Sequence, residues 1–231
     1  MQSLPFSAIN RPTTRHLVIY WVLADLCNFR CSYCPALFKD GRSQGLEPDW
    51  TVVASFIDRI NLMAEQGWCI EIHISGGEPT FSSYFTPILT RVSHQVQVIA
   101  CTNGSRPVGW WKTLPKLPDA SIISVHPQTD LAKIETTARY LIDQGKDVLF
   151  NCCMDTSHWG KTCHRYEYML ERFGGRRTKR KVVNDFGEDG DLIEPNPLTE
   201  EQIAYIRRPN LDSDPFPENT KTVMQRFKDL G

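Results

Sequence analysis

Short apolar runs alternate along the chain with segments of helical period. Strands are expected at 17–24, 69–75, 95–101, 121–126, 146–154 and, with a weaker pattern, 179–184. Between the first two, Asp49 offers a helix N-cap, Val53, Ile57, Ile60 and Met63 fall on one face, and Gly67 terminates the run. A second helix is expected from Asp130 through Leu131, Ile134, Ala138 and Leu141 to Gly145, and a third over 158–173, ending at Gly174-Gly175. Segments 82–93 and 108–114 carry weaker helical signals, and short helices are expected near 199–207 and 219–229.

Six strands alternating with helices imply βαβ units and a parallel sheet, hence an α/β fold. Spread over residues 17–183, this is about 28 residues per unit, short of the ~250 residues of an eight-unit barrel. A six-unit partial barrel and an open doubly wound sheet both fit. The domain reading is a lead-in over 1–16, the α/β unit over 17–184, and a Pro-, Asp- and Glu-rich extension over 185–231.

Charge sharpens that division. Residues 1–183 carry 21 Lys and Arg against 16 Asp and Glu, a net of +5, whereas residues 184–231 carry 5 against 11, a net of −6. Hydrophobic residues at 41% supply a sizeable core. The longest apolar run, Leu17–Ala24, is far shorter than the ~20 residues of a membrane span, and the first residues lack the layout of a signal peptide. A cytoplasmic protein with reduced thiols and no membrane partner is the expectation.

Three of the eight cysteines fall within eight residues, in Cys27-Asn-Phe-Arg-Cys31-Ser-Tyr-Cys34, directly after the first strand. A C-x3-C-x2-C loop can wrap three thiolates around one face of a cubane iron–sulfur cluster, leaving one iron open. The alternatives are a structural zinc site, which would want a fourth ligand and paired C-x2-C modules, or three ordinary buried thiols. Ser75-Gly76-Gly77-Glu78-Pro79 follows the second strand, Thr102-Asn103-Gly104-Ser105 the third, and Ser124-Val125-His126-Pro127 closes the fourth.

The cysteine spacing, with Tyr33 before the last cysteine, and the Gly-Gly-Glu-Pro turn together resemble the signature of the radical S-adenosylmethionine (SAM) superfamily. The resemblance implies a partial (β/α)6 TIM-like barrel. It implies one 4Fe–4S cluster on Cys27, Cys31 and Cys34, which would also make these the catalytic centre. SAM would be bound by Tyr33, by Gly76, Gly77, Glu78 and Pro79 of the turn, and by Asn103, Ser124 and His126. An external flavodoxin- or ferredoxin-like protein would supply electrons. For Asn103 the alternative is a turn residue with positive φ, and for His126 a structural histidine. No cysteine follows Cys163, which argues against auxiliary-cluster domains.

Residues nearer the expected lumen bear on substrate. Ile70, Ile72 and Ile74 alternate with Glu71, His73 and Ser75, so if the isoleucines pack under helices the polar set lines the barrel. Glu71, His73 and, on the fifth strand, Asn151 are therefore candidate substrate contacts; hydrogen bonding within the barrel floor is the other reading for the first two. Cys152 and Cys153 are read as small buried hydrophobes before hydrogen-atom donors. Arg176-Arg177-Thr178-Lys179-Arg180-Lys181 could meet phosphates or form a solvated strand entry. A polar substrate follows, with a modified nucleobase, nucleotide or nucleic acid undergoing isomerisation or rearrangement preferred. A small metabolite or peptide, or a non-catalytic iron–sulfur or nucleic-acid-binding module, are the alternatives.

Overall fold

The computed structural model describes residues 15–34, 48–183 and 198–208. Six strands form one sheet: β1 (His16–Ala24), β2 (Cys69–Gly76), β3 (Val96–Thr102), β4 (Ala120–Val125), β5 (Asp147–Met154) and β6 (Thr178–Val182). Every neighbouring pair is parallel and the spatial order is β1-β2-β3-β4-β5-β6. A doubly wound sheet reverses direction at a switch point, so this monotonic order excludes it. Right-handed crossovers that all progress the same way place every helix on one face, as in a TIM barrel, here with six strands.

Among the described residues the helices are α1 (Trp50–Glu65), α2 (Phe85–Arg91), α3 (Val108–Lys112), α4 (Leu131–Asp143), α5 (Trp159–Phe173) and α6 (Glu200–Arg207). Single 3-10 turns at Pro79–Phe81 and Thr156–His158 precede α2 and α5. Asp49 caps α1 by accepting the Thr51 N–H, and Asp130 caps α4 by accepting that of Lys133. Both caps satisfy amides that the first helical turn leaves unpaired. The expected helix near 219–229 lies outside the described residues.

The core lies between sheet and helices. Ile70, Ile72 and Ile74 of β2 and Val96, Val98 and Ala100 of β3 pack with Val53, Ile57 and Ile60 of α1 and Ile88 and Leu89 of α2. A second cluster joins Ile123, Val125, Val148, Phe150 and Cys152 to Ile134, Ala138 and Leu141 of α4 and Tyr166 and Met169 of α5. Trp111, fully buried, belongs to this packing, with Trp110 edge-on to it. Because the outward residues are fixed by these contacts, the alternate residues of each strand line the concave face. Among the described residues no helix is long and apolar enough to cross a membrane.

Candidate functional site

The site grows from two glycines that serve different needs. Gly76 ends β2 at φ +132°, a conformation that strains any residue with a side chain. Gly77 permits a backbone approach: a Cβ there would lie 2.5 Å from the Leu26 carbonyl oxygen and 3.1 Å from that of Asp25. The Glu78 N–H donates to the Leu26 carbonyl at 2.8 Å. The turn after β2 is thus seated on the chain immediately before Cys27.

Glu78 is fully buried, and both carboxylate oxygens are used within the protein. Oε1 accepts from the Thr80 N–H, the Thr80 hydroxyl and the Thr102 hydroxyl (2.7 Å), and Oε2 accepts from the Asn103 N–H at 2.6 Å. Burial raises the carboxyl above its ordinary range, and these donors oppose that shift. The Glu78 side chain therefore fastens the loop after β3 to the turn after β2, while its backbone N–H fastens that turn to the cysteine loop. Pro79 opens the 3-10 turn that Glu78 caps.

Asn103 extends the same lattice. Its Nδ2 donates to the Asn28 Oδ1 at 2.9 Å and approaches the Cys27 sulfur at 3.8 Å, while its Oδ1 accepts the Ser105 N–H. Asn103 does not take the positive φ considered for it; Gly104 does, at +68°.

The structure places His126 one residue beyond β4, whereas the strand expected from sequence, 121–126, included it. The Thr129 hydroxyl accepts the His126 N–H at 2.9 Å, and this turn contact ends the strand ladder at Val125. Its Nδ1 lies 2.7 Å from the Tyr33 hydroxyl and 3.5 Å from the Cys31 sulfur. Burial disfavours the imidazolium, but the facing thiols of Cys153 and Cys31 outweigh it and raise the His126 pKa. A hydrogen bond with Cys34 lowers that of Cys31; burial opposes the shift, and His126 and Gln128 reinforce it.

Cys31, Tyr33 and Cys153 form a small buried cluster, joined at its edge by Phe29, Cys34 and Val183. Cys27 feels both Cys31 and Glu78, and burial raises its thiol. The loop thus brings its three cysteines to the C-terminal rim of the sheet, beside the ends of β2, β3 and β4. Cavities of about 210 Å³ and 400 Å³ flank it. The smaller is lined by Asn28, Asn103, Gly104, Ser105 and Gln128, the larger by Arg30, Tyr33, Asp155 and Lys161 among others.

Sequence reasoning missed three contributors. Gln128 Nε2 donates to the Cys31 sulfur at 3.0 Å, Asn28 joins the loops after β1 and β3, and Arg165 of α5 donates to the carbonyls of His126 and Thr129. No local motif marks them, since each acts on a residue distant in sequence.

The remaining candidates lie lower in the lumen. Ser124 and Asn151 are register partners on the concave face. Glu71 and His73 are buried and hydrogen-bonded to each other, with the Tyr20 ring over His73. At about 3.3 Å per residue they lie roughly 17 Å and 10 Å below Gly76. The structure therefore separates a floor pair from the rim that carries the cysteines.

A six-stranded parallel α/β sheet with three thiols and a Gly-Gly-Glu turn at its C-terminal rim defines a class of protein. Residues 21–147 match the radical SAM superfamily, and the chain belongs to that family. Over 162 residues it is 27% identical to GTP 3′,8-cyclase of Pasteurella multocida (strain Pm70), a match covering 64% of this chain and 45% of that protein. Among solved structures, histidine-tagged anSMEcpe with bound AdoMet superposes with a TM-score of 0.53 at 17% identity, covering 74% of this chain and 50% of that one. The FeFe-hydrogenase maturase HydG from Carboxydothermus hydrogenoformans gives 0.52 at 13% identity, covering 84% and 50%. The chain thus spans about half the length of these relatives.

Radical SAM enzymes use a 4Fe–4S cluster and SAM, and the residues present suit that pair. The described cysteines are free thiols, three of them on one loop, and two of those sulfurs have amide donors nearby. No group of three or more His, Cys, Asp or Glu among the described residues could hold a single metal ion. One thiolate on each of three irons requires no such convergence.

Proposed function

We propose that this protein is a radical SAM enzyme with a single 4Fe–4S cluster on Cys27, Cys31 and Cys34. The observation that carries the reading is the backbone seam between the cysteine loop and the Gly76-Gly77-Glu78 turn, which holds a three-thiol site against a polar rim. A reduced cluster held by Cys27, Cys31 and Cys34 would supply one electron to the sulfonium of bound SAM, which would cleave to methionine and a 5′-deoxyadenosyl radical able to take a hydrogen atom from the substrate.

The chain's own residues position and protect. Gly76 and Gly77 leave backbone carbonyls open to the SAM ammonium, which needs acceptors. Glu78 and Pro79 hold that turn in shape, Glu78 from its buried position behind it. Asn103 and Ser124 offer polar contacts for the ribose and carboxylate, and Tyr33 and His126 shield the cluster side. Asn151 contacts a polar substrate from the wall, above the floor formed by Glu71 and His73.

Residues 17–184 form the catalytic unit, with 1–16 as lead-in and 185–231 as extension. The substrate we favour is a nucleotide or modified nucleobase, undergoing a carbon-centred rearrangement. Similarity to a protein named as a GTP cyclase supports that class. An external flavodoxin- or ferredoxin-like donor supplies the electron, and free thiols suit a reducing cytoplasm.

The test is 5′-deoxyadenosine formation by anaerobically reconstituted protein given SAM and dithionite, beside Cys31→Ala. Product from the wild type and none from the variant is expected. A fully loaded, reducible cluster yielding none, with nucleotides present or absent, would overturn the reading in favour of a non-catalytic iron–sulfur or nucleic-acid-binding module.

A further inference from the structure

The basic run 176–181 becomes two sets once β6 is in place. Arg180 turns outward: its guanidinium lies 4.2 Å from the Tyr166 ring centroid and 5.0 Å from that of Tyr205, and it donates to the carbonyls of Ile206 and Arg208. Thr178, fully buried, bonds the Met169 carbonyl of α5. Arg177 donates to the Val148 carbonyl. These residues are structural, and they fix the facing of the strand.

Lys179 and Lys181 therefore project to the opposite, concave face. Two further observations agree. Lys179 is the register partner of Asn151 and Lys181 of Cys153, both on the lumen side of β5. Val183, next in the same alternation, packs against the Cys31–Tyr33–Cys153 cluster. Cys101 of β3, whose thiol burial raises to about 11, feels the Lys181 ammonium from across the sheet.

Both lysines are exposed, and neither makes a hydrogen bond or ion pair among the described residues. Two lysines on one strand face, two residues apart and unpaired among the described residues, have backbone positions roughly 6.6 Å from each other. Beside them the amide of Asn151, the register partner of Lys179, adds a neutral donor.

We propose that Lys179 and Lys181, with Asn151, form an anion subsite of the lumen that takes the phosphates of a small phosphorylated substrate. The spacing suits a di- or triphosphate, which two point charges can grip at separate phosphates. Placement on the concave face selects a small ligand that enters the barrel over a polymer lying on its outer surface. The inference deepens the proposed function by naming the substrate's charged group.

The test is calorimetric titration of the full-length, reconstituted, SAM-saturated protein with inorganic pyrophosphate, with ATP, and with a single-stranded oligonucleotide. Pyrophosphate and ATP should bind the wild type, and Lys179→Ala/Lys181→Ala should weaken both about 100-fold, roughly 10-fold per charge-assisted contact. Arg59→Ala/Lys112→Ala, which removes the same charge from exposed positions on α1 and α3, should change affinity less than twofold. Equal weakening in the two double variants, no binding by the wild type, or lysine-dependent binding of the oligonucleotide alone would each overturn the proposal. Wild-type 5′-deoxyadenosine formation is read separately. Lysine-dependent pyrophosphate binding without it would refute the radical SAM reading alone, and the converse would refute only the subsite.

Discussion

Replacing Gly77 by Ala tests whether the seam between the turn and the cysteine loop matters as described. The added methyl would meet the Leu26 carbonyl oxygen at 2.5 Å and its carbon at 2.7 Å. Both are backbone atoms, so no rotamer relieves the clash, and the two segments must part by several tenths of an ångström. The Glu78 N–H to Leu26 bond, 2.8 Å long, lies across the same gap and weakens as it opens. Overpacking costs about 1–3 kcal/mol and the compromised hydrogen bond about 1 more, so a loss of roughly 2–4 kcal/mol is expected. For a chain of this size that corresponds to a fall in Tm of roughly 4–16 °C. Cys27, one residue past Leu26, moves with the loop, and iron retained after anaerobic reconstitution should fall along with Tm. Differential scanning calorimetry and iron analysis read the two effects. A variant within 2 °C of the wild type and with full iron would refute the argument, because the contact would then be too soft to position anything.

Two further predictions concern residues that sequence did not single out. Gln128→Leu removes the amide donor 3.0 Å from the Cys31 sulfur, and the potential of a cluster on that loop should become more negative in an EPR-monitored titration, with iron content unchanged. Arg180→Ala removes two ring contacts and two carbonyl bonds that tie α6 to the barrel; hydrogen exchange over 200–207 should speed up and global stability fall by about 1–3 kcal/mol.

The six strands and the rim motifs were legible because each is a local pattern. Alternation in 69–75 and the cap at Asp49 needed no distant partner, and observed strand limits differ from expectation by one or two residues. His126 fell outside β4 because Thr129, three residues on, captures its N–H, a preference that hydrophobic period does not encode. Glu78 was readable as part of a motif, but the filling of its lone pairs by Thr80, Thr102 and Asn103 was not. That outcome depends on the loop after β3 folding back over the turn. Gln128 and Arg165 were silent for the same reason, since their partners lie 97 and 39 residues away. The basic run lay between these cases. Its composition suggested phosphate contact or a solvated edge, and only strand facing divides it into outward Arg180 and inward Lys179 and Lys181.

The buried Glu78 carboxylate has a consequence for how such a chain can diversify. By bonding the loop after β3 while its own N–H holds the loop after β1, it makes three consecutive loops inherit one another's changes. An insertion in any of them must be accommodated by the other two at once. Variation that redirects the enzyme to new molecules while sparing its shared chemistry is therefore channelled to the far side of the sheet, onto β5, β6 and the segments C-terminal to them. Related chains should differ most there and least around Glu78.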